Sequence, residues 1–136
     1  MYNYFTYKSH LCIVYELLGA TLLDKLKDSQ YTGYSHLLTR FFVQQILESM
    51  EYYKAQGIIH CDLKPENVLF NTSAATGIKL IDFGSSCFEG HGIYQYIQTR
   101  FYRAPEILLG TPYLFYYSNF LSLLCSFLNI LYITSR

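Results

Sequence analysis

Two short apolar runs, Val68-Leu-Phe70 and Ile78-Lys-Leu-Ile81, constrain this chain more than any other feature. Each suits a short strand, and the small, polar stretch 71–77 between them suits a turn, so together they predict a hairpin. A hairpin folds back on itself, and its two outer ends lie side by side. Asn67 enters the first run and Asp82 leaves the second, so their side-chain oxygens converge at the open end. Such a pair suits Mg²⁺, a hard cation that takes a few oxygens from protein and completes its shell with phosphate and water.

Upstream, Leu38, Phe42, Ile46, Met50 and Tyr53 recur every three or four positions and predict one long amphipathic helix over about 37–56, packed on the core by that stripe. Ser35 is placed to cap its start, and Gly57 to end it in a left-handed cap. Thr21 with Asp24 three residues on forms a capping-box start for a short helix over about 22–27. Leu11-Cys-Ile-Val-Tyr15 suits a buried strand. Strand, two helices, loop, hairpin and loop make an α+β chain, and 136 residues fit one domain.

Ten basic and ten acidic residues cancel, which removes the electrostatic footprint of a nucleic-acid binder. The four cysteines are far apart, with no C-x-x-C pair and no histidine at zinc-ligand spacing. They point to a reducing compartment, cytoplasmic and/or nuclear, and the N-terminal residues lack the pattern of a signal peptide.

The loop after the long helix reads H-C-D-L-K-P-E-N over 60–67. Asp62 lies five residues before Asn67, close enough to face a phosphate held at the metal site. There it can accept the proton of an incoming hydroxyl, while Lys64 neutralises charge on the transferring group. D-F-G follows at 82–84 and A-P-E at 104–106, Glu106 lying 24 positions past Asp82. Singly, each of these is an ordinary turn sequence. In this order and at this spacing they resemble the signature of the protein kinases.

The K-P-E-N ending is similar to that of Ser/Thr kinases. Cys61 before the catalytic Asp, Y-Q-Y at 94–96 and R-F-Y-R at 100–103 closely resemble the dual-specificity tyrosine-regulated kinases, including the Yak-type branch, within the CMGC group. The resemblance runs from about Phe5 to Tyr113. It implies a partial protein-kinase-like fold: the end of the N-lobe, the hinge, and the first half of the mostly helical C-lobe. It implies ATP and Mg²⁺ as cofactors and protein substrates as partners, with transfer to Ser/Thr hydroxyls. Asp62, Lys64 and Asn67 would be catalytic, and Asn67 and Asp82 the metal ligands. The hinge, Glu16 to Leu18, would pair with the adenine through its backbone, Tyr15 would be the gatekeeper, and Leu69 and Ile81 the apolar floor. Tyr96 would be an autophosphorylated regulatory residue, with Arg100 and Arg103 as cations for its phosphate. Cys61 is expected to fill space as a small buried hydrophobe.

The kinase Gly-rich loop, strand Lys and helix Glu have no counterpart in this sequence, so the chain looks truncated at both ends. Residues 1–113 form the partial kinase domain. Residues 114–136 form an apolar tail without the D-x-W-S helix that the family would place there. That tail keeps three readings open: sequence from a gene-model or splice boundary, a membrane span, or a divergent core helix. Two other functions are therefore carried beside catalysis, a non-catalytic kinase fragment and a membrane-anchored binding module.

Overall fold

The computed structural model describes residues 1–72, 77–90 and 97–110, so Tyr94, Tyr96 and the 114–136 tail lie outside the described residues. The chain opens with an antiparallel hairpin of β1 (Asn3–Tyr7) and β2 (His10–Val14), paired from Asn3 opposite Val14 to Tyr7 opposite His10. Its two turn residues, Lys8 and Ser9, both have positive φ, as a two-residue turn between right-twisted strands requires. The run 11–15 therefore forms a strand as expected, but it is not buried. Leu11, Ile13, Val14 and Tyr15 are all exposed, because among the described residues β2 pairs only with β1 and a two-stranded ribbon covers neither of its own faces.

Helix α1 spans Leu22–Asp28 and starts on the predicted capping box: the Thr21 hydroxyl accepts from the Asp24 N–H, and the Asp24 carboxylate accepts from the Thr21 N–H. Helix α2 spans His36–Ala55, with the Ser35 hydroxyl accepting from the Leu38 N–H at its start. Gly57, at φ 67°, donates its N–H to Lys54 O just past the end, where a residue with a Cβ would be strained. Phe42, Ile46 and Tyr53 of the predicted stripe are buried, and Leu38 and Met50 flank them.

Strands β4 (Val68–Phe70) and β5 (Ile78–Leu80) form the predicted hairpin, with Val68 opposite Leu80 and Phe70 opposite Ile78. A third strand pair joins β3 (Ile58–Ile59), directly after α2, to β6 (Cys87–Phe88). The short helix α3 (Pro105–Leu108) ends the described chain.

Two hydrophobic clusters hold these pieces. The larger joins Leu22 and Leu26 of α1, Phe42 and Ile46 of α2, Val68 of β4, and Leu63. Phe42 packs edge-to-face on both Tyr34 and Phe70, at 5.3 and 5.5 Å between ring centroids. The smaller cluster joins Ile59, Cys61, Ile97, Ala104 and Ile107. Leu63 and Cys61 belong to the same loop, so one short segment is anchored in both clusters. Among the described residues, no helix is long and apolar enough to cross a membrane.

Candidate active site

Residues 61–67 alternate strictly: Cys61, Leu63, Pro65 and Asn67 are buried, while Asp62, Lys64 and Glu66 are half-buried. Ahead of the 3₁₀ turn Pro65–Asn67 the backbone at Lys64 is extended, and in such a stretch successive side chains turn to opposite sides. Anchoring the odd positions therefore brings Asp62 and Lys64 out on the same side. Burying Leu63 alone contributes about 1.5–3 kcal/mol to holding the loop down. The result is an ion pair with Lys64 Nζ 2.6 Å from Asp62 Oδ2.

Asp62 is held from three more directions. Its Oδ1 accepts from the Thr99 N–H at 2.9 Å and from the Thr99 hydroxyl at 2.8 Å. Lys64 Nζ also donates to Thr99 Oγ1 at 2.8 Å, which closes a triangle of Asp62, Lys64 and Thr99. The Asn67 amide donates to Asp62 O at 2.9 Å and lies 3.4 Å from Oδ2. Burial pushes the Asp62 carboxyl up, but the bonds from Lys64 and Thr99 outweigh it and hold the group below the ordinary carboxylate value. Asp62 is thus ionised at neutral pH. Sequence reasoning missed Thr99. Its only signal was its place five residues before Ala104, and its contact with Asp62 depends on the activation segment returning to the loop.

The open end of the hairpin is closed by one further backbone rung. Ile81 N–H donates to Asn67 O at 3.0 Å, which extends the β4–β5 ladder by one rung and sets Asp82 beside Asn67. Because the Asn67 NH₂ is turned to the Asp62 carbonyl, its amide oxygen faces the other way. Asp82 is exposed and left-handed (φ 64°), and its Oδ1 accepts from the Gly84 N–H at 3.3 Å. One amide oxygen and one carboxylate are a donor set that fits Mg²⁺, which leaves most of its shell to phosphate and water. Among the described residues there is no cluster of three or more His, Cys, Asp or Glu that would fit a protein-enclosed metal.

His60 ties these loops together. The Asp62 N–H donates to its Nδ1 at 3.2 Å, so Nε2 carries the proton and donates to Ile81 O at 3.0 Å. Burial holds its pKa below the ordinary histidine value, despite the opposing pull of the Ile81 carbonyl and of Asp62. Phe83 stacks on the ring at 4.6 Å, and Tyr53 packs against both. Cys61 has φ 65°, is fully buried, and lies 3.6 Å, sulfur to sulfur, from Cys87. Burial, then the neighbouring Cys87, pushes its thiol up to about 12, so it sits in this site as a neutral packing group, as expected.

The activation segment returns through Gln98, a buried residue at φ 66°. Its side-chain oxygen accepts from the Ala104 N–H at 2.6 Å. Arg103 reaches back to the same place, Nε donating to Ile97 O and Nη2 to Gln98 O, each at 3.0 Å. Arg103 thus grips the backbone immediately after Tyr96, whereas Arg100 is exposed in a 3₁₀ turn. A cleft of about 540 Å³ is lined by Asp62, Gly84, Ser85, Ser86, Ile97, Gln98 and Thr99.

The hinge residues lie against the hairpin. Gly19 N–H donates to Phe70 O at 2.8 Å, and Phe70 N–H to Ala20 O at 3.0 Å. A Cβ on Gly19 would come 3.2 Å from Phe70 O, so this close approach favours glycine. Val68 and Phe70 face the core, so Leu69 faces the other way, together with Ile81, as a floor requires. Leu18 is half-buried.

Comparisons with known proteins identify the scaffold that carries these residues. The family model described as "Protein kinase domain" matches residues 1–134, and the chain belongs to that family. It is 50% identical over 113 residues to the Drosophila melanogaster homolog of dual specificity tyrosine-phosphorylation-regulated kinase 3. It is 52% identical over 113 residues to the dual specificity protein kinase YAK1 of Saccharomyces cerevisiae, and 49% identical to the human dual specificity tyrosine-phosphorylation-regulated kinase 3. Each alignment covers 83% of this chain but only 14%, 14% and 19% of those proteins respectively. A solved kinase domain superposes with a TM-score of 0.89 at 28% identity, covering 95% of this chain and 44% of that one. The fold is accordingly a partial protein-kinase fold, and the likeness to the tyrosine-regulated and Yak-type kinases spans most of the chain.

Proposed function

We propose that this chain supplies the catalytic loop and activation segment for ATP-dependent phosphoryl transfer to protein Ser/Thr hydroxyls, with autophosphorylation at Tyr96. The observation that carries this is the Asp62–Lys64–Thr99 triangle, with the Asn67 amide bonded to Asp62 O and the Asn67 carbonyl bonded to the Ile81 N–H next to Asp82. Mg-ATP, when bound, supplies the transferable phosphoryl group and the cation that offsets its charge. Asn67 and Asp82 would hold that cation. Oδ1 of Asp62 already accepts two bonds from Thr99, whereas Oδ2 has one strong partner, Lys64, and only a long contact with the Asn67 amide, so Oδ2 is the oxygen that would accept the acceptor hydroxyl's proton. Lys64 Nζ and the Thr99 hydroxyl orient the carboxylate and keep it ionised until then. The backbone of Glu16 and Leu18 would hold the base edge over Leu69 and Ile81. The wide spacing of the four cysteines supports a reducing compartment, cytoplasmic or nuclear.

The test is transfer of labelled phosphate from ATP to a generic protein acceptor such as casein, with mass spectrometry of the chain itself. Transfer should be lost in Asp62→Asn, and phosphotyrosine should appear at Tyr96 and vanish in Tyr96→Phe. Equal labelling by wild type and Asp62→Asn overturns the reading. A second reading is a non-catalytic kinase-like segment that binds nucleotide. Binding of Mg-ATP without any transfer would support that reading.

A further inference from the structure

Two side chains tie the hinge to the hairpin at points that the phosphoryl-transfer chemistry does not use. Lys79 of β5 places Nζ 2.5 Å from Glu16 Oε2. The Thr72 hydroxyl, just past β4, donates to Leu17 O at 3.1 Å. Leu17 O and Gly19 N–H thus both face the hairpin. In an extended chain the backbone groups of alternate residues point to the same side, and those between them point to the opposite side. Over Glu16 to Leu18 an extended backbone would turn the Glu16 carbonyl and the Leu18 N–H away from the hairpin, as an acceptor and a donor separated by one residue. Lys79 stands directly opposite Leu69 and two residues before Ile81, on the face of the hairpin that carries the apolar floor.

We propose that Lys79 and Thr72 are positioning residues for a purine base: by clasping the Glu16 side chain and the Leu17 carbonyl, they fix the register in which the Glu16 carbonyl and Leu18 N–H meet the base edge. This rests on the nucleotide reading above. The ion pair is half-exposed, with Lys79 and Glu16 side chains 40% and 36% accessible, so it acts by setting register rather than by strength, and salt weakens it. A contact of that kind shifts nucleotide affinity by about two- to five-fold.

The experiment has two arms on the 136-residue chain. In the first, amide hydrogen exchange is followed without nucleotide in wild type, Lys79→Gln, Glu16→Gln and the charge-swapped Glu16→Lys/Lys79→Glu protein. The Gly19 amide should exchange faster in both single variants and recover in the swap. In the second, Mg-ATP and Mg-tripolyphosphate are titrated into the same proteins, the Glu16→Gln/Lys79→Gln double variant, Thr72→Val and Thr72→Ser. ATP should bind about two- to five-fold more weakly to Lys79→Gln, Glu16→Gln and Thr72→Val. The double variant should be no weaker than either single one, and Thr72→Ser should match wild type. Tripolyphosphate, which has no base, should bind all of them alike.

Unchanged exchange at Gly19 in the single variants overturns the clasp, even if ATP binds as expected of a kinase. Faster exchange with unchanged ATP affinity, or an equal loss for tripolyphosphate, overturns base positioning. A wild-type chain that binds neither ligand overturns the nucleotide reading and base positioning together, while the exchange arm still decides whether the clasp exists.

Discussion

Replacing Thr99 by valine removes one oxygen from the site and keeps the shape of the side chain. In the wild type that oxygen donates to Asp62 Oδ1 and accepts from Lys64 Nζ, both at 2.8 Å. The valine leaves Asp62 with the Lys64 ion pair and the residue-99 N–H, and leaves Lys64 with Asp62 alone. Hydrogen bonds to charged groups are each worth about 1.5–3 kcal/mol. Lys64 and Asp62 are 18% and 14% accessible, so water entering the cleft restores part of the loss. The net cost is about 1.5–3 kcal/mol, the scale of one such bond rather than two. Urea unfolding at pH 7 should therefore show a midpoint about 1 M lower, for a typical dependence of 1–3 kcal/mol per M.

The pH dependence separates chemistry from packing. The folded pKa of Asp62 lies below its unfolded value, so its contribution is fully present above about pH 4 and is lost as pH falls through the folded value. Valine removes one cause of that depression, so the variant has less to lose. The gap between wild type and Thr99→Val should narrow as pH falls from 5 toward 3, and Thr99→Ser should track the wild type. A gap that stays constant with pH would refute the claim that the hydroxyl acts on the carboxylate.

Three further outcomes follow from the structure. Phe42→Ala, at a 1% exposed site between two edge-on rings, should cost about 3–5 kcal/mol in the same unfolding assay, and a loss under 1 kcal/mol would place the core elsewhere. Limited alkylation followed by peptide mapping should modify half-exposed Cys12 well before Cys61, which is buried and has a thiol pKa near 12; the reverse order would show that the loop opens. The His60 imidazole should titrate below 6.5 by NMR, so stability from its neutral form is present above that pH and declines as pH falls below it. A midpoint at or above 6.5 would contradict its burial against Ile81 and Phe83.

The local pattern of the chain was legible wherever one periodicity ruled. The stripe from Leu38 to Tyr53, the caps at Thr21, Ser35 and Gly57, and the hairpin that joins Asn67 to Asp82 are all nearest-neighbour matters, and the structure bears them out. Burial of β2 was not legible, because an apolar run reports what a strand can cover and not whether a neighbour lies on it. Thr99 and the Lys79–Glu16 pair were missed for a related reason: each joins residues far apart in sequence through a return of the chain. The phosphate role expected of Arg103 concerns Tyr96, which lies outside the described residues. The structure gives the Arg103 Nε and Nη2 to the carbonyls of Ile97 and Gln98, a backbone role that no side-chain motif announces.

The rung from Ile81 N–H to Asn67 O has a consequence for how such a sequence can diverge. It makes the spacing of Asn67 and Asp82 a property of strand pitch, measured across the ladder rather than along the chain. The measurement is made between Asn67 and Ile81, so the length of the sequence between Thr72 and Gly77 does not enter it. Lineages can lengthen or shorten this stretch, and an engineer can place an epitope in it, while the chemistry at the other end keeps its ruler.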